Sequence, residues 1–306
     1  MSKKIYENIN RLPSGRSSGE ITPGCLVLEG GGWKGLYTVG VLDALMLEGI
    51  NLETTVGISA GAMSGMGYLT GQVGISVRLD LRFRHDSRYV GARAIRMDGG
   101  ITNFTYMYNR MLDAVGFDWK RFRDTKQRFL AGAANMLTGQ IEYFEKGKDN
   151  IFKAVRASAA IPVVTKPVMI NGVPYLDGGC AEKIPYTWAK EQGFEKIVVI
   201  KTRDWSYRRK EGANPFVAAY YRRYPNFVRS MEEANGKFNK MTDELWERYG
   251  AGEIFALAPS QPVTVKRFDG DLDKLAELYY LGLSDMQAHM DELKCYLGIK
   301  AEPGCE

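Results

Sequence analysis

The amino-acid sequence predicts an α/β protein with a mostly parallel central sheet, and this prediction rests on the order of elements near the start of the chain. Residues 25–30 and 52–59 are short apolar or β-branched runs of the kind that form buried strands. After the first run, apolar residues recur at helical spacing from Gly35 to Glu48, and the second is followed by the very small residues of 60–71. Strand, helix, strand and helix in this order are typical of βαβ units, whose strands lie parallel.

The rest of the chain predicts further elements around this start. A helix is predicted over 151–162, where Pro162 ends it. The pair Asn171-Gly172 between two apolar runs predicts a hairpin with a type I′ turn. The other predicted elements are strands at 195–202 and 253–260, a mixture of helices and loops over 72–150, and two amphipathic helices that close the chain. We expect Ser284 to be the N-cap of the second of these helices.

The composition is that of a globular protein able to bury one large core. The chain has 306 residues, 45% of them hydrophobic, and no apolar run near the roughly 18 residues that span a membrane. Its first residues lack the apolar segment of a secretory signal, so we expect a cytoplasmic protein. The four cysteines show neither CxxC nor CxxH spacing, which predicts reduced thiols and argues against a metal site. These are Cys25, Cys180, Cys295 and Cys305.

Positive charge is concentrated in one segment, residues 201–229. The whole chain carries +5, whereas this segment has eight basic and two acidic residues and nets +6, so the rest of the chain nets −1. Seven aromatic residues are interleaved with these cations. A nucleic-acid patch, a contact with a membrane surface and an ordinary solvated helix face with some core aromatics all fit this composition.

The glycine-rich sequence EGGGWKG after the first predicted strand fits two functions. Gly30, Gly32 and Gly35 match the G-x-G-x-x-G fingerprint of dinucleotide-binding proteins. That fingerprint requires an acidic residue about 20 positions on, at the end of the second strand. Glu53 lies instead at the start of that strand, so the dinucleotide interpretation is disfavoured. Consecutive glycine N–H groups can alternatively bind the oxyanion of a reacting ester.

The second strand ends in the sequence GISAG, which matches the G-x-S-x-G nucleophile elbow. Ser59 lies between a predicted strand and a predicted helix, and this is the context that the elbow requires. A serine that only caps a helix in a tight turn is the alternative. Both βα turns would lie at the carboxyl ends of parallel strands, where ligand sites form.

Three residues are candidates for the base that accepts the Ser59 proton. His85 lies in a polar, arginine-rich stretch, which is typical of a solvated surface histidine. His289 borders an apolar helix stripe, but it follows Ser59 and Asp177 in the order Ser, Asp, His of α/β-hydrolases. Asp177 follows the predicted hairpin and precedes two glycines, which let other backbone approach closely. We favour Asp177, provided that burial or geometry makes its carboxylate more basic.

Taken together, these motifs make the chain resemble the patatin-like phospholipases. The resemblance rests on GGGWKG, GISAG and LDGG, with RASAAIP ahead of the aspartate, and it covers about 26–188. The remainder resembles the C-terminal extension of bacterial patatin-like proteins. The resemblance implies a three-layer α/β/α fold with a Ser-Asp dyad. It also implies hydrolysis of acyl esters of phospholipids or related lipids, with no metal and no cofactor. We therefore expect a flexible lead-in at 1–24, a catalytic domain at 25–188 and an extension at 189–306.

The resemblance also assigns roles to individual residues. Ser59 is expected to be the nucleophile and Asp177 the general base, with the backbone N–H groups of Gly31, Gly32 and Ala60 forming the oxyanion hole. The remaining motif positions are Gly30, Lys34, Gly35, Gly57, Gly61, Gly178 and Gly179.

One position departs from the family pattern, because arginine is usual where this chain has Lys34. Lysine keeps the charge but lacks the planar guanidinium fork. Lys34 is thus the one sequence hint towards a catalytically silent protein that binds lipids or partners on the same scaffold. The expected substrate is a lipid or phospholipid ester, with peripheral membrane contact through 201–229 and no nucleic acid.

Overall fold

A computed structural model describes residues 5–212 and 214–299. The strands there are β1 (Gly15–Arg16), β2 (Thr22–Leu28), β3 (Leu52–Ile58), β4 (Gln72–Val73), β5 (Arg128–Asn135), β6 (Ile141–Glu145), β7 (Val168–Ile170), β8 (Val173–Asp177), β9 (Ile197–Ile200) and β10 (Phe255–Leu257). The α-helices there are α1 (Gly35–Leu47), α2 (Ala60–Tyr68), α3 (Ile75–Phe83), α4 (Ala92–Asp98), α5 (Phe104–Tyr106), α6 (Leu112–Ala114), α7 (Trp119–Asp124), α8 (Ile151–Ser158), α9 (Tyr186–Glu191), α10 (Pro215–Tyr220), α11 (Pro225–Gly250), α12 (Leu272–Ala288) and α13 (Met290–Leu297). A π-helical segment, Met107–Met111, joins α5 to α6, and 3-10 turns lie at Ile9–Arg11, Gly32–Lys34 and Gly178–Cys180.

Within the described residues, eight strands form the main sheet in the order β10-β9-β2-β3-β5-β8-β7, with β6 paired to β5 off this path. The neighbours from β10 to β5 are parallel, as the βαβ order predicts. Strands β6, β7 and β8 join in antiparallel pairs. The hairpin of β7 and β8 turns at Asn171 and Gly172, which both have positive φ (50° and 82°), so the predicted type I′ turn is confirmed.

Helices cover both faces of this sheet, and the three-layer α/β/α prediction is confirmed. Alternate residues of one strand face opposite layers. On β2, Leu26 and Leu28 belong to the core beneath α1, α2 and α12. Cys25 and Val27 belong to the second core, beneath α9 and α11.

The site is positioned by the way in which β5 is paired along its length. Residues 128–132 of β5 pair with β3, and residues 133–135 pair with β8. Because β6 occupies the other side of β5 over 130–134, β3 and β8 must lie on the same side. They run in opposite directions, so the carboxyl end of β3 meets the carboxyl end of β8. The residue after β3 therefore faces the last residue of β8.

Several elements differ from the sequence predictions. Residues 72–150, expected to hold helices and loops, contain β5 and β6. The final helices do not divide near Ser284, because α12 continues to Ala288 and His289 occupies the cap position of α13. The helix predicted over 151–162 ends at Ser158, before Pro162.

The start of the chain also differs from the flexible lead-in that we expected. In its described part Tyr6 and Leu12 are buried, and β1 pairs with β4. These contacts pack residues 5–24 against the rest of the protein. The expected division at residues 188 and 189 stays a prediction.

The cysteines follow the sequence prediction only in part. Cys25 and Cys180 are buried free thiols. Cys295 is disulfide-bonded, so the expectation of reduced thiols is wrong at this position. Cys305 lies outside the described residues.

Helices α1 and α12 cross closely because the same three residue types recur on both at the same spacing. The sequence Tyr-x-x-Gly-x-x-Asp occurs on α1 as Tyr37, Gly40 and Asp43, and on α12 as Tyr279, Gly282 and Asp285. The Tyr37 hydroxyl donates to Asp285 Oδ2 at 3.0 Å, and the Tyr279 hydroxyl donates to Asp43 Oδ2 at 2.8 Å. A Cβ atom on either glycine would overlap the backbone of the facing helix. The two glycines thus let the helices approach until each tyrosine reaches the aspartate of the other helix.

We expect Gly282→Ala to lower the free energy of unfolding by about 1–3 kcal/mol, because the added methyl group forces the helices apart. Alanine is the better helix former, so this loss opposes the usual effect of the substitution. Gly250→Ala is the matched control, because a Cβ atom there meets no neighbour within 4 Å. Thermal and urea denaturation measure both variants. A Gly282→Ala protein as stable as Gly250→Ala would contradict the tight crossing.

Candidate active site

Ser59 lies on a sharp turn between β3 and α2 and has a strained backbone, with φ of 54° and ψ of −118°. The glycines on either side of it make this turn sterically feasible. A Cβ atom on Gly57 would lie 2.5 Å from the carbonyl carbon of Gly61, and one on Gly61 would lie 2.5 Å from Leu28 O. The G-x-S-x-G pattern therefore has the strand-turn-helix geometry of a nucleophile elbow.

Asp177 is placed to accept the proton of Ser59. The Ser59 hydroxyl donates a hydrogen bond to Asp177 Oδ2 at 2.8 Å, and the N–H of Gly179 donates to Asp177 Oδ1 at 2.8 Å. Burial raises the pKa of the Asp177 carboxyl above its usual value, and the hydrogen bonds and the charges of Arg267 and Lys183 oppose this rise. The carboxylate is thus more basic than that of an ordinary aspartate, as general-base chemistry requires.

The RASAAIP sequence holds both residues of this pair, a role that the sequence alone did not predict. Ser158 Oγ accepts a hydrogen bond from the N–H of Ser59 at 2.8 Å. Two residues on, the carbonyl of Ala160 accepts from the N–H of Asp177 at 2.9 Å. The motif itself was visible in the sequence, but nothing in it indicates which distant N–H groups it binds.

The glycine-rich loop brings free N–H groups next to Ser59. Among the hydrogen bonds of the described residues, none uses the N–H groups of Gly31, Gly32 or Ala60. Gly32 begins a 3-10 turn and Ala60 begins α2, and the first N–H group of a helix has no partner within it. The N–H of Gly30 is occupied, because it donates to Lys183 O at 3.1 Å. Gly32 and Ala60 line the cavity together with Ser59, and Gly30 is in a supporting position. The oxyanion hole of Gly31, Gly32 and Ala60 stays a prediction.

The two loops fit together because their other motif positions are small. A Cβ atom on Gly35 would lie 2.8 Å from Ala60 Cβ, and one on Gly30 would lie 3.2 Å from Ser59 Cβ. Gly178 packs directly under Gly132 of β5. Larger residues at these positions would separate the glycine loop or the β8 end from the elbow.

Lys34 is buried beneath the glycine loop. Its ammonium donates a hydrogen bond to Gly31 O at 3.1 Å. Burial and the neighbouring Arg203, Arg267 and Arg209 charges lower the pKa of Lys34 to about 8, against the opposing effect of Glu29. The contact uses one donor and one acceptor, so it does not require the guanidinium fork of the arginine that is usual here.

Part of the first half of the basic segment packs against the interior of the protein, beside the end of β2. Glu29 is fully buried at the end of β2, and its Oε2 accepts from the N–H of Thr202 at 2.8 Å. Charge interactions link Glu29 to Lys201 and Arg209. The Arg209 guanidinium lies 4.6 Å from the centre of the Phe238 ring, a cation–π distance. Lys201 and Thr202 are thus buried, whereas Ser206 and Arg208 are exposed, and membrane contact through 201–229 stays a prediction.

A mainly apolar cavity of about 1020 Å³, counted with its open mouth, begins at Ser59. Its lining includes Met63, Met66, Leu79, Met107, Leu112 and Phe117. Asp80 also lines it, and burial raises the pKa of that carboxyl to about 7. The apolar lining of the cavity suits a long apolar group.

Neither histidine joins the pair of Ser59 and Asp177. His289 Nδ1 lies 2.8 Å from Asp285 O of the preceding helix turn, and His85 is exposed near Gly270. Neither residue lines the cavity that contains Ser59. Within residues 5–212 and 214–299, no group of three or more His, Cys, Asp or Glu side chains is arranged to hold a metal. None of the helices described is both long enough and apolar enough to cross a membrane.

The fold and the site together define an α/β protein with a serine–aspartate pair at the end of a parallel sheet. The family model described as patatin-like phospholipase matches residues 26–189, more than half of the chain, and the protein belongs to that family. A second model, described as a domain of unknown function (DUF6363), matches residues 224–298.

Named relatives are similar over part of the chain. The uncharacterized protein YjjU of Escherichia coli K12 is 29% identical over 182 residues, which cover 58% of this chain and 51% of YjjU. Lysophospholipase NTE1 of Candida albicans is 26% identical over 178 residues, or 57% of this chain and 13% of that enzyme. The chain thus matches about half of one relative and a small part of the other. VipD of Legionella pneumophila aligns in structure over 92% of this chain and 70% of its own, with 15% identity and a TM-score of 0.48.

We expect Lys34→Met to lower kcat for a soluble p-nitrophenyl ester about ten- to a hundred-fold, the range for loss of a hydrogen bond to a charged group. Lys34→Arg should keep activity within a few fold, because arginine can also donate to Gly31 O. In the unsubstituted protein activity should fall as pH rises through about 8, where the ammonium loses its proton. The arginine variant should move this fall to higher pH.

Thermal denaturation of both Lys34 variants separates a local effect on the loop from a loss of folding. An alkaline fall that stays at the same pH in Lys34→Arg would contradict the role of Lys34. It would point to Lys183, because burial and nearby cations also lower the pKa of that ammonium to about 8.

Proposed function

We propose that this protein is a serine hydrolase of lipid acyl esters, of the phospholipase A or lysophospholipase type. The observation that carries the proposal is the 2.8 Å hydrogen bond from Ser59 to Asp177, made on an elbow beside three free N–H groups. The apolar cavity that begins at Ser59 suits an acyl chain. The relatives named lysophospholipase and the family itself make a lipid ester the natural substrate.

The acylation step uses Asp177 as the base. As Ser59 Oγ forms a bond to the ester carbonyl carbon, Asp177 Oδ2 takes the hydroxyl proton. The carbonyl oxygen becomes an oxyanion, and the N–H groups of Gly31, Gly32 and Ala60 stabilise its charge. The tetrahedral intermediate then breaks its bond to the alcohol oxygen, and Asp177 returns the proton to that leaving group. The products of this step are the free alcohol and an acyl-enzyme at Ser59.

The deacylation step repeats the same proton transfers with water. Asp177 takes a proton from a water molecule as the water oxygen attacks the acyl carbonyl. The same N–H groups stabilise the second oxyanion. Ser59 Oγ then leaves with the proton from Asp177, and a fatty acid is released. One carboxylate thus acts as base and acid in turn, and no histidine is needed.

We expect Ser59→Ala and Asp177→Asn each to lower kcat on p-nitrophenyl butyrate at least about a thousand-fold, because each removes one member of a unit that acts together. The Asn side chain matches Asp in shape but cannot accept the proton. His289→Ala is the control and should keep full activity. Activity that survives in both variants would overturn the dyad, and a comparable loss in His289→Ala would favour a triad.

A catalytically silent protein that binds lipids or partners is the alternative function. A fluorophosphonate probe distinguishes the two, because it forms a covalent bond only with an activated serine. We expect labelling of the unsubstituted protein and none of Ser59→Ala. A protein that binds lipid but does not react with the probe would support the silent alternative.

We also propose that α10 and the start of α11 contact the surface of an anionic phospholipid bilayer. Phe216 and Tyr220 on α10 are 67% and 60% exposed. Arg222 and Arg223 beside them are also exposed. Tyr221 joins this patch to the cavity, because its hydroxyl accepts from the N–H of Val163, two residues after cavity-lining Ile161. Exposed aromatics beside cations suit the bilayer interface.

We expect Phe216→Ser combined with Tyr220→Ser to reduce binding to phosphatidylglycerol-containing vesicles about ten-fold or more, because two apolar side chains no longer enter the interface. Trp246→Ser is the matched control. Trp246 is exposed on α11, but about 30 Å further along that helix at 1.5 Å per residue. Vesicle co-sedimentation at low and high salt measures the effect. Equal losses in both proteins would contradict a membrane contact at α10.

A further inference from the structure

The segment after β10 lies across the mouth of the cavity, although it is outside the patatin-like match at 26–189. Arg267 and Phe268 line the cavity together with Ser59 and Trp33. A Cβ atom placed on Gly32 would lie 3.3 Å from Arg267 Cγ and 3.3 Å from Arg267 O. The segment therefore runs directly over the glycine loop, and it belongs to the region matched by the domain of unknown function.

Contacts from several elements hold this segment in place. Arg84 of the main body donates to Phe268 O at 2.9 Å and also to Asp269 O. Lys274 of α12 donates to Thr264 O at 2.9 Å. Val265 of the same segment is buried. The backbone around Arg267 is thus held on both sides, so the Cα atom of Arg267 has a fixed position at the mouth of the cavity.

Arg267 differs from three neighbouring cations, Lys34, Arg203 and Lys183, in having no hydrogen-bond partner among the described residues. Lys34 donates to Gly31 O, and Arg203 donates to Val263 O at 2.7 Å. Lys183 donates to Gly179 O. Among the described residues, no hydrogen bond or ion pair involves the Arg267 guanidinium, although its charge opposes the rise in the pKa of Asp177. An exposed guanidinium is therefore available beside the reacting groups.

The position of a bound ester determines what this guanidinium would meet. With the carbonyl carbon at Ser59 and the acyl chain in the apolar cavity, the alcohol part of the ester must project from the mouth. In a glycerophospholipid that part carries a phosphate a few bonds from the ester. Guanidinium groups bind phosphate through two parallel hydrogen bonds, and Lys34 and Arg209 add positive charge nearby.

On the basis of the proposed hydrolase function, we propose that Arg267 binds the headgroup phosphate of a glycerophospholipid whose ester carbonyl lies at Ser59. The C-terminal region thereby sets the substrate class, favouring phosphate-bearing lipid esters over neutral acylglycerols. The unpaired Arg267 at the mouth of the Ser59 cavity carries this inference. Neutral acylglycerols would fill the same cavity but leave the guanidinium without a partner.

The test compares two esters with the same acyl chain, 1-octanoyl-lysophosphatidylcholine and 1-octanoylglycerol, as monomers below their critical micelle concentrations. We expect Arg267→Gln to lower kcat/KM for the lysophospholipid about ten- to a hundred-fold, with most of the change in KM. Arg267→Gln also removes a charge that lowers the pKa of Asp177, and this effect is common to both esters, so the loss with the lysophospholipid should exceed that with 1-octanoylglycerol about ten-fold or more. Lys266→Gln is the matched control, because it removes the same charge from an exposed neighbour that does not line the cavity.

Equal losses on both esters would overturn the proposal, because Arg267 would then act on the reacting centre and not on the phosphate. No loss on either ester would also overturn it. A loss seen only with substrate in vesicles would assign Arg267 to the membrane surface instead. Turnover of 1-octanoylglycerol by both proteins tests the hydrolase function independently of Arg267.

Binding of ligands that cannot be hydrolysed tests the role of Arg267 independently of any catalytic activity. The ether analogue 1-O-octyl-glycerophosphocholine cannot be hydrolysed, and calorimetry compares its binding with that of 1-O-octylglycerol. The proposal requires Arg267→Gln to weaken the first about ten-fold or more and to leave the second unchanged. Unaltered binding of the phosphate-bearing ether would overturn the proposal even if the protein proved to have no esterase activity.

Discussion

The geometry of the site depends on the strand β5, which pairs with β3 over its first part and with β8 over its last part on the same side. Two strands that run in opposite directions along one edge bring their carboxyl ends together. Ser59 and Asp177 follow from this arrangement, because one comes directly after β3 and the other is the last residue of β8. Backbone pairing of the strands therefore fixes the positions of both residues, and the hydrogen bond between them does not depend on the conformation of flexible loops.

Close packing of small residues is the second requirement of this arrangement. Gly132 of β5 lies under the elbow, where a Cβ atom would approach Ile58 Cδ1 to 2.5 Å. The same constraint recurs at Gly57, Gly61 and Gly178, where backbone meets backbone. The glycines of these motifs thus serve the packing of the site, while the positive φ of Ser59 is a strain that this packing sustains.

The sequence predicted the parts of the fold and site in which local pattern and local structure agree. The β2-α1-β3-α2 unit, the type I′ turn and the position of Ser59 belong to this group. Strand β5 was missed because its sequence RFLAGAAN is rich in alanine and glycine, which have low strand propensity but are required by the packing around Gly132. The contacts of Ser158 and Arg267 were missed because they join segments about a hundred or more residues apart, and no local pattern records such pairs.

The C-terminal region contacts the candidate site at several places. Helix α1 begins at the glycine loop, and the crossing at Gly40 and Gly282 buries its other side against α12. Lys201 and Arg209 surround Glu29 at the base of the same loop, and Arg267 lies over its top. Three separate parts of the region after residue 188 therefore pack against the glycine loop or the helix that follows it. Because donors to a developing oxyanion act only when they are held in position beforehand, the chemistry proposed for Ser59 depends on this region as much as on the patatin-like segment that contains the reacting residues.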